Sequence, residues 1–226
     1  MRKHLANAIT CLNVLAGSVA VVFALEGRYT LAACCIALAA VFDFLDGFTA
    51  RLLKAVSAMG KELDSLCDMV SFGLAPTLVA FHYMQQLGGP WCWAALLMAA
   101  FSALRLAKFN LDERQTSSFI GLATPANAIF WAFGIAGLSE AAVYTPPVWC
   151  LALLCLFSCW MLVSPLPMFS LKFKNLRFQD NAIRYIFLLG CIALVVRLTW
   201  LGVALCIVWY TLLCLLNLIT VKSKRS

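Results

Sequence analysis

Four aspartates stand in the run Asp43-Phe-Leu-Asp46-Gly47-Phe-Thr-Ala50-Arg51 and, after a short break, in Gly60-Lys-Glu-Leu-Asp64-Ser-Leu-Cys-Asp68. Asp43 and Asp46 are spaced i, i+3, and Asp64 and Asp68 i, i+4, so each pair shares a face on a helix. Carboxylates brought together in this way repel one another unless a cation neutralises them. Their oxygens suit one or two hard ions such as Mg²⁺ or Mn²⁺. Two ions about 3.5–4 Å apart suit displacement at phosphorus, each neutralising phosphate oxygens. Arg51, one turn beyond Gly47, can bind a phosphate, and Ser57 offers a hydroxyl. Gly47 and Gly60 lack side chains where a ligand must approach the backbone. Glycine inside a helix costs about 1 kcal/mol relative to alanine, so Gly47 asks for a reason.

The elements that must position these groups are greasy. Of 226 residues 64% are hydrophobic, and only ten are acidic, five of them in this one stretch, the four aspartates and Glu62. A mean hydropathy of +0.93 belongs to a multi-span membrane protein. A carboxylate at membrane depth costs several kcal/mol unless it is paired, hydrated or bound to metal. A bilayer core takes about 20 apolar residues per helix. Eight segments fit: 5–24, 30–54, 62–85, 91–109, 119–138, 147–165, 182–198 and 200–220. A tight turn between Arg197 and Leu201 separates the last two. The expected fold is an all-α polytopic membrane helix bundle of about eight transmembrane helices.

Charge orients the bundle. With the N-terminus inside, the inner segments hold Arg2 and Lys3; Arg51, Lys54 and Lys61; Arg105, Lys108 and Arg114; Lys172, Lys174, Arg177 and Arg184; and Lys222, Lys224 and Arg225. Those are 15 of the 17 basic residues, leaving Arg28 and Arg197 outside. This bias predicts both termini and the aspartate cluster on the cytoplasmic side. Gly88-Gly89-Pro90 and Pro146-Pro147 mark outer turns. The polar stretch Leu171 to Asn181, with Phe173, Leu176 and Phe178 among its charges, reads equally as an interfacial helix or a loop.

Several classes are excluded. The 11 cysteines are scattered, without a CxxC pair, inside apolar runs where a thiol acts as a small hydrophobe. The net charge of +7 follows from loop topology and anionic lipid rather than nucleic acid. Met-Arg-Lys-His imitates the start of a signal peptide, but the apolar run continues too long and contains Asn7, Thr10 and Asn13. It reads as a retained first helix. His4 and His82 are the only histidines. His82 is expected near the outer face, and His4 lies outside the motif.

The residues fit D-x2-D-G-x2-A-R-x8-G-x3-D-x3-D without a gap, which resembles the signature of the CDP-alcohol phosphatidyltransferases. The resemblance implies transfer of a phosphatidyl group from CDP-diacylglycerol to an alcohol with release of CMP. It implies that Asp43, Asp46, Asp64 and Asp68 hold divalent metal, Mg²⁺ or Mn²⁺ and two ions, with Asp68 also the general base. It assigns the CDP-lipid to Asn7, Thr10, Asp46, Gly47, Arg51, Ser57 and Gly60. Asn7 and Thr10 resemble a P-N-x-x-T element in which Ala6 replaces the proline. It implies a six-helix catalytic core, here residues 1–165, followed by an interfacial segment and two further helices in 166–226, and commonly a homodimer.

Three later segments resemble the phosphatidylserine synthase branch: Ser71-Phe72-Gly73-Leu-Ala-Pro76, Arg105-Leu-Ala-Lys108-Phe109-Asn110 and Gly121-Leu-Ala-Thr124-Pro125-Ala126-Asn127. L-serine is then the acceptor, with Ser71, Arg105, Lys108 and Asn110 as candidates to bind it. Lys108 stands where this branch often has Arg, a change that loses the bidentate fork. Arg105 and Lys108 also read as determinants of topology, Lys108 more so than Arg105. Ser71, Gly73 and Pro76 also read as residues that kink the third helix. No Ser, Cys or His stands as an obvious covalent nucleophile, so direct attack by the serine oxygen is expected. Two rivals remain: phosphatidylglycerophosphate synthase, and a cation transporter. The transporter predicts carboxylates near the midplane and paired broken helices.

Overall fold

Long apolar runs separated by short polar breaks give helices joined by tight turns. The structure, a computed structural model, describes residues 2–54, 57–111, 119–141, 145–168 and 178–223. Helix α1 (Arg2–Leu25) meets α2 (Tyr29–Leu52) through a turn in which Gly27 has φ of +74°. The third expected helix is one rod in three parts: α3 (Ala58–Asp68), a π-helical segment (Met69–Leu74) and α4 (Ala75–Leu87). Pro76 lacks the N–H that would close a regular turn back onto the π segment, which follows Asp68 directly. Gly88 and Gly89, both at positive φ, lead through a 3₁₀ turn (Pro90–Leu96) into α5 (Leu97–Leu111).

The second half departs from expectation in one place. Residues from 119 were expected to be helical. Instead β1 (Phe119–Ile120) pairs antiparallel with β2 (Pro167–Met168), and α6 (Thr124–Ala141) begins later. Gly121, at φ +73°, donates its N–H to Leu166 O at 2.8 Å and breaks the helical path. Then follow α7 (Val148–Val163) and α8 (Phe178–Ser223). Helix α8 is a hairpin. Its chain reverses at Thr199 (φ +49°), inside the expected turn, and Cys206 returns to donate to Cys191 O. Of the expected interfacial stretch, residues 171–177 lie outside those described, and the remainder opens α8.

The chain is an all-α polytopic membrane bundle. Among the described residues, five stretches are long and apolar enough to cross a membrane: Ala6–Leu25, Tyr29–Leu52, Ala58–Leu87, Pro90–Leu111 and Asn181–Leu218. The last is the hairpin, and α7 is a shorter apolar helix. Helices α1 and α2 pack closely through Ala16, Ala20 and Ala24 against Ala32, Ala33 and Ala39, all buried. Small residues let backbones approach where lipid removes the usual hydrophobic drive. Outward faces carry Leu15, Val22, Phe44, Leu189 and Val196, which are exposed.

The two ends of the bundle differ. At one, Tyr29 bonds to Gln86 and His82 across the start of α2 and the end of α4. His82 is therefore remote from the aspartates, which sit at the other ends of the same helices.

Candidate active site

Asp43 and Asp46 occupy the second half of α2, and Asp64 and Asp68 the second half of α3. Ser57 starts α3 by accepting a hydrogen bond from the Gly60 N–H at 3.0 Å, the usual way to satisfy a free donor at a helix N-terminus. The two helices thereby bring one oxygen each from Asp43, Asp64 and Asp68 within 4.8 Å of one another. Asp43 and Asp64 approach within hydrogen-bonding reach. Asp46 is offset from this trio, buried beside Thr10 and within the electrostatic field of the other three.

These residues fit a divalent cation. Asp46 Oδ2 and Asp64 Oδ1 are buried and take no hydrogen bond among the described residues. Buried carboxylate oxygens without a donor are costly, and mutual repulsion adds to the cost. A hard cation removes both penalties through oxygen ligands, the donor type such ions prefer.

Beside the trio opens a cavity of about 270 Å³ lined by Asn7, Thr10, Asp46, Gly47, Arg51, Ser57, Gly60, Lys61 and Asp64, with Ala6 and Ala50. Every residue that the resemblance assigned to the CDP-lipid is in this lining. A Cβ on Gly47 would meet nothing within 4 Å, so its missing side chain leaves space open to the cavity rather than to a packed neighbour. Arg51 is exposed, and its Nε donates to Gly47 O at 2.9 Å. That bond engages Nε only, and among the described residues the terminal nitrogens make no hydrogen bond, which suits them to a bidentate anion in the cavity that Arg51 lines. Ser57 uses its oxygen as an acceptor for Gly60, which leaves the hydroxyl proton to donate.

Residues 3–163 match the family of the CDP-alcohol phosphatidyltransferases, a stretch that contains every residue just described. The chain belongs to this family. It is similar to proteins named CDP-diacylglycerol–serine O-phosphatidyltransferase. That of Mycobacterium leprae (strain TN) is 40% identical over 132 residues, 55% of this chain and 44% of that protein. For Helicobacter pylori (strain ATCC 700392 / 26695) the identity is 33% over 126 residues, 54% of this chain and 53% of the relative. For Bacillus subtilis (strain 168) it is 40% over 116 residues, 45% and 64%. The matched stretch thus spans about half the length of these relatives.

The four residues expected to receive the acceptor part company. Arg105 is 7% exposed, donates from Nε to Leu122 O at 2.9 Å and lies within electrostatic reach of Asp68. Among the described residues it forms no ion pair with a carboxylate. Ser71 is fully buried and its hydroxyl donates to Asn13 O at 3.0 Å, so it ties α1 to the π segment. Asn110 donates to Ser65 Oγ at 2.7 Å, and its carbonyl accepts from Lys61. It fastens the end of α5 to the outer side of α3. Lys108 is exposed.

Two residues of this site escaped the sequence reading. Asn13, with 0% exposure, donates from Nδ2 to Asp68 Oδ1 at 3.0 Å. Gly17 lets α1 reach the π segment, because a Cβ there would fall 2.6 Å from Ser71 Cα. A signal was present. Asn7, Thr10, Asn13 and Gly17 recur at spacings of three and four, a polar and small stripe on an otherwise apolar helix.

Proposed function

We propose that the protein transfers a phosphatidyl group from CDP-diacylglycerol to the hydroxyl of L-serine, releasing CMP, at the cytoplasmic side of the membrane. The observation that carries this reading is the position of Asp68, a member of the acidic trio that also lies within electrostatic reach of Arg105, which is buried and without an ion pair among the described residues. A diphosphate needs the first neighbour and an amino-acid carboxylate needs the second. The names of the similar proteins support serine as the acceptor.

In this mechanism the nucleotide occupies the cavity beneath Arg51 and Ser57, while the acyl chains remain in lipid. Asp43, Asp46, Asp64 and Asp68 hold divalent metal, Mg²⁺ or Mn²⁺. When bound, the metal offsets charge on the diphosphate and on the departing CMP oxygen. Asp68 takes the proton of the serine hydroxyl as general base. The serine oxygen forms a bond to the phosphorus bearing the diacylglycerol. The bond from that phosphorus to the CMP oxygen breaks, and CMP leaves with the electron pair. Arg105 receives the serine carboxylate in a fork geometry that lysine does not reproduce. Residues 1–165 form the catalytic core, and the α8 hairpin braces it against α6.

The test is CMP release by the full chain in detergent with CDP-diacylglycerol and each of three labelled acceptors: L-serine, glycerol 3-phosphate and inositol. Serine-dependent release that EDTA abolishes and Mg²⁺ or Mn²⁺ restores is expected. Product with glycerol 3-phosphate and none with serine overturns the acceptor. Release indifferent to every acceptor and to chelation overturns the enzyme.

Arg51→Ala provides a second check. One charge-assisted pair to phosphate is lost, a contact worth roughly 1.5–3 kcal/mol. The KM for CDP-diacylglycerol is expected to rise about tenfold or more while the KM for serine stays within twofold, as read in mixed micelles.

A further inference from the structure

Asn13 offers two atoms from one amide, and the fold uses only one of them. Its Nδ2 donates to Asp68 Oδ1 at 3.0 Å. Its Oδ1 is buried and accepts no hydrogen bond among the described residues. An amide oxygen left this way costs free energy unless a donor reaches it. Because both atoms hang from the same carbon, the free oxygen also stands beside Asp68. The Asn13 backbone is anchored. Asn13 O accepts from Ser71 at 3.0 Å, and the bare Gly17 allows α1 this close approach, so the carboxamide cannot swing away with its helix.

Arg105 borders the same carboxylate from another helix. Helix α5 packs on the π segment, and Ser102 stands beside Gly73 one turn before Arg105. Asp68 thus has a neutral acceptor from α1 beside it and, within electrostatic reach, a cation from α5 that forms no ion pair among the described residues.

We propose that Asn13 reads the amine of the acceptor, its Oδ1 accepting from the ammonium while its Nδ2 holds Asp68 against the hydroxyl on the adjacent carbon. The proposal rests on the reading of the protein as a serine phosphatidyltransferase and sharpens its acceptor to a vicinal amino alcohol. Hydroxyl and ammonium on neighbouring carbons meet a carboxylate and an amide oxygen that are themselves neighbours. The carboxylate of the acceptor is left to Arg105. Acceptors without an amine leave the Asn13 oxygen unsatisfied, and a site with an unpaired buried polar group rejects such analogues strongly. No covalent step is added: Asn13 touches the acceptor and positions the base.

The experiment uses the full chain in CDP-diacylglycerol micelles. Serine turnover is measured for the wild type and for Asn13→Ala, Asn13→Leu and Arg105→Gln. Two competitors are added, 3-hydroxypropionate, which lacks the amine, and ethanolamine, which lacks the carboxylate. In the wild type both are expected to inhibit at concentrations far above the serine KM. Asn13→Ala is expected to raise the serine KM at least tenfold and to lower kcat about tenfold. The apparent affinities for CDP-diacylglycerol and for Mg²⁺ should stay within twofold. The advantage of serine over 3-hydroxypropionate should shrink in both Asn13 variants, and its advantage over ethanolamine only in Arg105→Gln. An unchanged serine KM beside a lower kcat overturns the amine contact and leaves Asn13 as a support for Asp68. Equal losses for CDP-diacylglycerol and serine also overturn it, as they mark a structural defect. If the wild type itself does not use serine, the functional reading has failed rather than this extension of it.

Discussion

Asp68→Asn is expected to lower kcat for serine by about 10³-fold while the affinity for CDP-diacylglycerol changes by no more than a few-fold. A positioned general base contributes typically 10²–10⁴-fold, and asparagine keeps the size and one oxygen of the side chain while losing its basicity. The cavity beside the trio is lined by residues of α1, α2 and α3 up to Asp64, with Ser57, and does not include Asp68, so its walls survive the change. Asn13 still finds an acceptor in the new amide oxygen, so the α1 contact at 3.0 Å is retained. Single-turnover CMP release together with equilibrium binding of the CDP-lipid separates the two effects. Wild-type CMP release by Asp68→Asn excludes Asp68 as the base. A matching loss of CDP-lipid affinity makes it a ligand-holding group only.

The pairing of the four aspartates was legible in the sequence through spacing, whereas the separate role of Asp68 came from the family resemblance. A period of 3.6 residues puts Asp43 with Asp46 and Asp64 with Asp68, and a short turn faces the pairs. Loop charge likewise separated the two ends of the bundle, and His82 does sit at the end away from the aspartates. The hairpin turn at Thr199 was visible because no apolar helix of 38 residues fits a bilayer once.

What stayed hidden depends on contacts between distant segments. Arg105 and Lys108 are two cations at one helix end that the sequence separates only weakly, yet Arg105 is buried against the Leu122 carbonyl and Lys108 is exposed. The packing of α5 on the π segment and the chain after β1 distinguishes them. Asn110 was an attractive acceptor ligand on composition, but its side chain is engaged by Ser65 at 2.7 Å. Phe119 and Ile120 belong to an apolar run that extends a helix by hydropathy. A strand pair with residues about 48 positions later cannot be read from a local pattern. Asn13 was passed over for the same reason, because its partner lies 55 residues away.

The glycines draw this contrast most sharply, and they supply the second large effect. Gly47 and Gly17 both sit inside helices where glycine is unfavourable. At Gly47 a Cβ would enter open space at the cavity. At Gly17 it would stand 2.6 Å from the Cα and 2.8 Å from the Cβ of Ser71, a contact that forces backbone apart. Gly17→Ala must therefore push α1 off the π segment, and the displacement falls on the residues that carry Asn13 and follow Asp68. Misplacement of a reacting group by about 1 Å can cost 10²-fold in rate, and overpacking of this kind destabilises by roughly 1–3 kcal/mol. The expected result is a kcat about 10²-fold below wild type with a lowered thermal midpoint in detergent. Gly47→Ala should raise the thermal midpoint slightly, because alanine favours the helix by about 1 kcal/mol and meets no neighbour there, and should act on the KM for CDP-diacylglycerol. Ser71→Gly placed in the Gly17→Ala background removes the Cβ and hydroxyl from the clash but not the Cα, so it should recover part of the lost kcat. Full activity in Gly17→Ala alone would mean that the approach of α1 to the π segment does not set the geometry of Asp68. The chain would then have to hold its base by α3 alone.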